Sequence, residues 1–225
     1  MAQNLLQENY PDSWTAAVEM LAILHDSDPD LTYREVNQPF VECATFADDI
    51  KYHGGGWQGD FHFYDITWVS EGSEDDYDID DDGGKNLVVA ITDSIAWLSG
   101  KQGTDYQSGY YYDYIQNRLY PGDEGDAKSY ALRLLIHYMG DIVQPFHNEE
   151  QYNAEWPEGD MGANKFPLKY HYDVDELHAL WDMVLYTQHH NLKRVSIFEF
   201  NLASVTDHLC LYSHSLTMTI CISSR

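Results

Sequence analysis

The run that decides the fold reads Ala131-Leu132-Arg133-Leu134-Leu135-Ile136-His137-Tyr138-Met139-Gly140-Asp141-Ile142-Val143-Gln144-Pro145-Phe146-His147. It predicts a helix over residues 127–143. Leu132, Leu135, Ile136, Met139, Ile142 and Val143 fall on one broad apolar face at helical spacing, and Pro145 ends the helix. His137 and Asp141 are four residues apart, so their side chains project from one face, one turn apart. An Asp among apolar neighbours is almost never buried without a partner. No Lys or Arg stands within a turn of Asp141, so the carboxylate calls for another cation.

Working outward, the same periodicity predicts a helix over 86–98, carried by Leu87, Val88, Ala90, Ile91, Ile95 and Leu98. Leu5, Leu6, Trp14, Val18, Leu21 and Ala22 predict helix over 2–24, broken at Pro11. Another helix is expected over 33–50, with Pro39 as a kink or boundary. A later one is expected over 175–186, with Leu177, Leu180, Trp181, Val184 and Leu185 apolar. Between them lie a glycine-rich loop (53–60), a short aromatic stretch, extended or turn-like (61–66), an acidic loop (71–84), a Gly- and Tyr-rich loop (99–125) and an irregular segment (148–173). Asp78, Asp80, Asp82 and Gly83 open like a calcium loop. Lys85 and Val89 then occupy positions that need an apolar residue and a bidentate Glu, so the segment reads as a solvated surface loop. Strand signals are few. The expectation is a mainly α, single-domain, multi-helix fold with long loops, covering 1–190, and a divergent C-terminal tail at 191–225.

Composition bounds the function. The 225 residues are 44% hydrophobic, enough for a real core. The formal charge is 12 − 38 = −26, which excludes a protein that reads nucleic-acid sequence through a basic face. It does not exclude an enzyme that holds phosphates through metal ions, because the bound cations offset their Asp ligands. Cys43, Cys210 and Cys221 have no zinc-motif spacing and form no redox pair; Cys43, in an apolar stretch, is expected to be buried. No run of about twenty apolar residues would span a membrane, and the residues from Met1 onward lack the basic start of a signal peptide.

His178 and Asp182 repeat the His-x3-Asp spacing on the later helix, and His147 extends the first pair to H-x3-D-x5-H. One such pair alone is weak evidence, since a His in an apolar helix is commonly a packed residue hydrogen-bonded to a carbonyl. Two pairs on apolar helices favour metal binding. Asp48, Asp49 and His62 could add ligands from elsewhere. Together, His62, His137, His147, His178, Asp48, Asp141 and Asp182 would serve two metals, and this donor set suits zinc best.

The decisive run resembles the signature helix of the zinc-dependent type I nucleases, the single-strand-specific enzymes of fungi and plants distantly related to bacterial zinc phospholipase C. The resemblance continues in Glu176-Leu177-His178-Ala179-Leu180-Trp181-Asp182, similar to N-L-H-x-x-W-D. Ala47-Asp48-Asp49-Ile50-Lys51 is similar to W-A-D-x-x-[KR], and His62-Phe63-Tyr64-Asp65 to H-F-x-D. These motifs cover about residues 40–186. The resemblance implies an all-α fold around three zinc ions. Asp48, His62, His137 and Asp141 would hold one zinc, with Asp141 reaching toward the third, and His147, His178 and Asp182 would hold a second. It implies hydrolysis of phosphodiesters in single-stranded DNA or RNA, and of 3′-nucleotides, to 5′-phosphates. Asp48 and Lys51 would take part in catalysis. Phe63 would stack on a base, Asp65 would bind its edge, and Asn164 would act from a G-G-N-like loop in which Ala163 replaces the second Gly. It further implies a secreted or vacuolar, monomeric protein.

The family begins with a Trp-Gly…His segment that holds the third zinc, and nothing before Ala2-Gln3-Asn4 matches it here. The last residues, 216–225, also depart from the family. The expectation is therefore a chain shortened at both ends that keeps two zinc sites. A zinc phospholipase or phosphatase on the same scaffold is the alternative, as is an inactive metal-binding relic.

Overall fold

Pro145 and Asp123 bracket the longest helix among the described residues. The computed structural model describes residues 2–79, 83–100, 105–169 and 174–187, with side chains through Met183. Two units divide the chain, Met1–Asp182 and Met183–Arg225. The tail expected at 191–225, with Cys210 and Cys221, lies outside the described residues, as do Asp80 and Asp82 of the acidic loop. The described fold is mainly α.

The helices are α1 (Ala2–Asn9), α2 (Pro11–Ser27), α3 (Pro39–Glu42), α4 (Phe46–Ile50), α5 (Leu87–Leu98), α6 (Tyr110–Tyr112), α7 (Glu124–Asp141) and α8 (Leu177–Thr187). Pro11 starts α2, where a missing N–H is harmless. Asp123 caps α7 by accepting the Asp126 N–H, and Asn86 caps α5 by accepting that of Val89. Helix α7 packs between α2 and α5. Its buried stripe is Ala127, Tyr130, Ala131, Leu134, Tyr138 and Asp141, at helical spacing. The core joins this stripe to Leu21 and Leu24 of α2, Leu87, Ala90 and Ile91 of α5, and Phe46, Ala47 and Ile50 of α4.

Several local expectations are corrected. Met139 and Val143, expected on the apolar face, are 49% and 74% exposed. The buried stripe runs beside them instead, and it carries Arg133 at 0% exposure. That guanidinium donates to both oxygens of Glu35, at 2.7 and 2.6 Å, and to the Leu21 carbonyl and Ser129. The bidentate geometry satisfies a charge that could not otherwise be buried. No continuous helix forms over 33–50: Pro39 is a boundary, α3 starts on it, and a 3₁₀ turn over Cys43–Thr45 leads into α4. The glycine-rich segment is not a loop but a 3₁₀ helix, Gly55–His62. It is anchored by buried Gln58, which donates to the Ala47 carbonyl and accepts from the Tyr138 hydroxyl. The Gly- and Tyr-rich segment is largely helical, with α6 running into a π-helical turn at Asp113–Leu119.

Two short strands, β1 (Ile66–Val69) and β2 (Glu149–Tyr152), pair in parallel, Ile66 opposite Glu149 and Val69 opposite Tyr152. β1 follows His62 and β2 follows His147, so the ladder brings together two stretches far apart in sequence.

Candidate metal centre

The last turn of α7 supplies His137 and Asp141. The 3₁₀ segment ends on His62, α4 carries Asp48, the 3₁₀ turn Pro145–His147 ends on His147, and α8 carries His178 and Asp182. The structure brings these seven residues into two groups. One donor atom from each of Asp48, His62 and His137 lies within 4.8 Å of the others, and the same holds for His147, His178 and Asp182. Asp141 joins the first group: its Oδ2 is 2.8 Å from His62 Nδ1 and 3.2 Å from His137 Nε2. The four imidazoles are buried, whereas the Asp48 and Asp182 side chains are 65% and 47% exposed. The centre therefore has a dry imidazole floor and carboxylates at its rim.

Hydrogen bonds to backbone carbonyls fix three of the tautomers. His137 Nδ1 donates to Ala44 O at 2.6 Å, His147 Nδ1 to His62 O at 2.7 Å and His178 Nδ1 to Gly162 O at 2.7 Å. A carbonyl can only accept, so each Nδ1 carries a proton, and in the neutral ring Nε2 keeps its lone pair. His147 Nε2 and His178 Nε2 then face each other at 3.1 Å, and His137 Nε2 faces His62 Nδ1 at 3.2 Å. The facing lone pairs of His147 and His178 repel unless a cation or proton lies with them, whereas His62 Nδ1 donates to Asp141 Oδ2 at 2.8 Å, because a carboxylate accepts. His62 Nε2 is buried with no partner, so its other nitrogen, turned toward Asp141, is the one with polar company.

These spacings test the fit to zinc. Donors about 2.0–2.1 Å from a tetrahedral ion stand about 3.3 Å from one another, close to the 3.1 and 3.2 Å seen. Imidazole and carboxylate are donors that zinc accepts, and three of the four imidazoles have the carbonyl partner that orients metal-binding histidines. The residues fit the ion.

Without the ion, protons supply the positive charge. Burial alone would lower the pKa of His137, but the hydrogen bond and charge of Asp141 outweigh it and raise the group to about 8. Burial works against the Asp141 carboxylate as well, yet His137 and His62 hold it well below the usual range. Burial lowers His147, assisted by the neighbouring charge of His178.

The other sequence-predicted residues lie around this floor. Phe63 stacks flat on the His147 ring, with centroids 4.8 Å apart and planes at 10°; one face of the phenyl is thus covered by a candidate ligand. Asp65 is exposed just before β1, and Lys51 is exposed at the end of α4. Asn164 donates its side-chain amide to the Met161 carbonyl. The loop carrying it has three successive residues in the left-handed region: Met161 (φ 57°), Gly162 (φ 58°) and Ala163 (φ 63°). Gly162 must be Gly, since a Cβ there would lie 2.1 Å from the Phe146 carbonyl oxygen. The fold uses that close approach to present the Gly162 carbonyl to His178. Sequence reasoning missed Gln144, which is buried and donates to Asp182 at 2.9 Å. The only signal was its place in Gln144-Pro145, at the end of the decisive helix.

A mainly α fold carrying two adjoining His/Asp groups at the end of its central helix defines a candidate metal-dependent hydrolase. The S1/P1 Nuclease family pattern matches residues 1–218, and the chain belongs to that family. Endonuclease 3 of Arabidopsis thaliana is 42% identical over 52 residues. That similarity spans 23% of this chain and about 15% of the relative's length. No helix among the described residues is long and apolar enough to cross a membrane.

Proposed function

We propose that this protein is a zinc-dependent nuclease that hydrolyses phosphodiesters of single-stranded DNA or RNA to 5′-phosphates. The observation that carries the metal reading is the pair of facing imidazole lone pairs, His147 with His178 at 3.1 Å, each locked by its own backbone carbonyl. Asp48, His62, His137 and Asp141 would hold one zinc, and His147, His178 and Asp182 a second. When bound, zinc supplies Lewis-acid chemistry, making water nucleophilic near neutral pH and stabilising charge on an attacked phosphate.

The chain's own residues do the rest. The buried imidazole floor excludes bulk water and raises the effective strength of every charge in it. The exposed Asp48 carboxylate, 3.9 Å from His137 Nε2, stands at the rim where it can orient an attacking water. Lys51, at the end of the same short helix, offers a cation to a phosphate. Phe63 offers the face not covered by His147 to an unpaired base, and Asp65 and Asn164 offer polar groups to its edge. Stacking of this kind tolerates any base but requires it to be unpaired, which supports single strands over duplex.

Elemental analysis of the purified protein, alongside degradation of single-stranded DNA and RNA with and without chelator, tests the reading. The expected result is bound zinc and chelator-sensitive cleavage. Protein that carries zinc in both groups yet leaves single strands intact overturns the nuclease assignment.

A further inference from the structure

The Gln144 side chain sits between the end of α7 and α8 with both ends of its amide engaged. Its Oε1 accepts the Phe146 backbone N–H. A backbone N–H must meet an oxygen, so the orientation of the amide is fixed and Nε2 is the end that faces Asp182 Oδ1, at 2.9 Å. The same nitrogen is 3.4 Å from His178 Nε2. Pro145 sets this arrangement: the residue before a proline is driven to extended backbone, and Gln144 adopts φ −86°, ψ 117° as it leaves the helix. Its side chain is thereby buried at 9% exposure. Asp182, by contrast, is half exposed on α8, and His178 Nε2 is 3.5 Å from its other oxygen, Oδ2. A half-exposed Asp can turn to solvent; a fixed donor on one oxygen holds the other toward the imidazoles.

We propose that Gln144 is a positioning residue for the second group, anchoring Asp182 through Oδ1 so that Oδ2 faces the ion held by His147 and His178. The inference rests on reading that group as a metal site. Partners that orient ligands in this way are worth about ten- to hundredfold in metal affinity.

Two variants separate this role from support of the turn. Gln144→Asn can still accept the Phe146 N–H, as an Asx turn does, but its amide is one methylene too short for Asp182. Gln144→Met keeps the bulk and removes both bonds. Metal-free protein would be titrated with cobalt(II) and zinc against a competing chelator, and each variant compared with wild type and in an Asp182→Ala background. Both variants are expected to weaken the second group by about ten- to hundredfold, to leave the first group and the helical circular dichroism unchanged, and to have no further effect once Asp182 is gone. Wild-type affinity in both variants overturns the proposal. So does an equal loss in the Asp182→Ala background, which would mean that Gln144 acts only as packing. If His178→Ala leaves the wild-type metal stoichiometry unchanged, the metal reading of the group has failed, and this proposal fails with it.

Discussion

His147 of the second group donates its Nδ1–H to the backbone carbonyl of His62, a residue of the first group, at 2.7 Å. The two groups are therefore joined through one imidazole and one peptide, reinforced by the Tyr64 N–H donating to the His147 carbonyl at 2.8 Å. His147→Ala is expected to empty the second group and also to weaken zinc at the first by about three- to tenfold, the worth of one net hydrogen bond. His178→Ala removes a ligand of the same group without touching the His62 carbonyl and should leave the first group intact. Stepwise cobalt titration of the two variants measures the difference.

His137 is one of three imidazoles that face the Asp141 carboxylate, with His62 and His147. His137→Ala should abolish metal at the first group. With chelator present it should also destabilise the protein by about 3 kcal/mol, because a buried carboxylate loses a charged partner. Urea unfolding at neutral pH reads the stability, and zinc content reads the site; unchanged zinc content contradicts the assignment of His137 as a ligand.

Protons and metal compete at the first group. With His137 raised to about 8, zinc affinity there should fall about fiftyfold between pH 8 and pH 6, since the imidazole must lose its proton to bind. The second group should change far less over that window, because burial lowers His147. The metal-free fold follows the same linkage with the opposite sign. His137 contributes stability that is full below about 6.5 and lost as pH rises through about 8. Asp141, held low, contributes above about pH 4 and loses its contribution in acid. Isothermal titration with zinc and urea unfolding without it, each at several pH values, check both statements.

Ala163 holds φ 63°, a conformation costing an L-residue about 1–2 kcal/mol. Ala163→Gly should raise stability by about 1 kcal/mol, net of the freedom glycine adds to the unfolded chain. Gly162→Ala should do the reverse and more, pushing the loop from Phe146 and taking the carbonyl from His178. Thermal unfolding with and without zinc separates the two effects.

The sequence made the helices legible where apolar spacing was unbroken, as over Leu87–Leu98 and around Leu134. It also made legible the His-x3-Asp pairs, because one turn of helix brings such residues together whatever the tertiary structure. What it hid depends on distant partners. The burial of Arg133 depends on Glu35, 98 positions away, which neutralises it. Arg133 lies on the buried stripe of α7, while Met139 and Val143 are exposed beside it. The strands were missed because each is four residues long and neither is continuously apolar. Gln144 was missed because its meaning lies in α8, and no local pattern points there.

The Arg133–Glu35 pair gives a further expectation. Arg133→Met should destabilise the protein by about 3–5 kcal/mol, leaving Glu35 buried and charged, whereas Arg133→Met with Glu35→Leu should recover much of the loss. Denaturant midpoints of the single and double variants decide it.

The parallel ladder between Ile66–Val69 and Glu149–Tyr152 works as a ruler. A one-residue insertion between His62 and Ile66 would put the pairing out of step and send alternate side chains to the opposite face. The surface turns beyond each strand can lengthen freely, but the short lead-in from each histidine to its strand has no slack. In any lineage or engineered variant that keeps the chemistry, the number of residues in those two lead-ins should be the feature least free to drift.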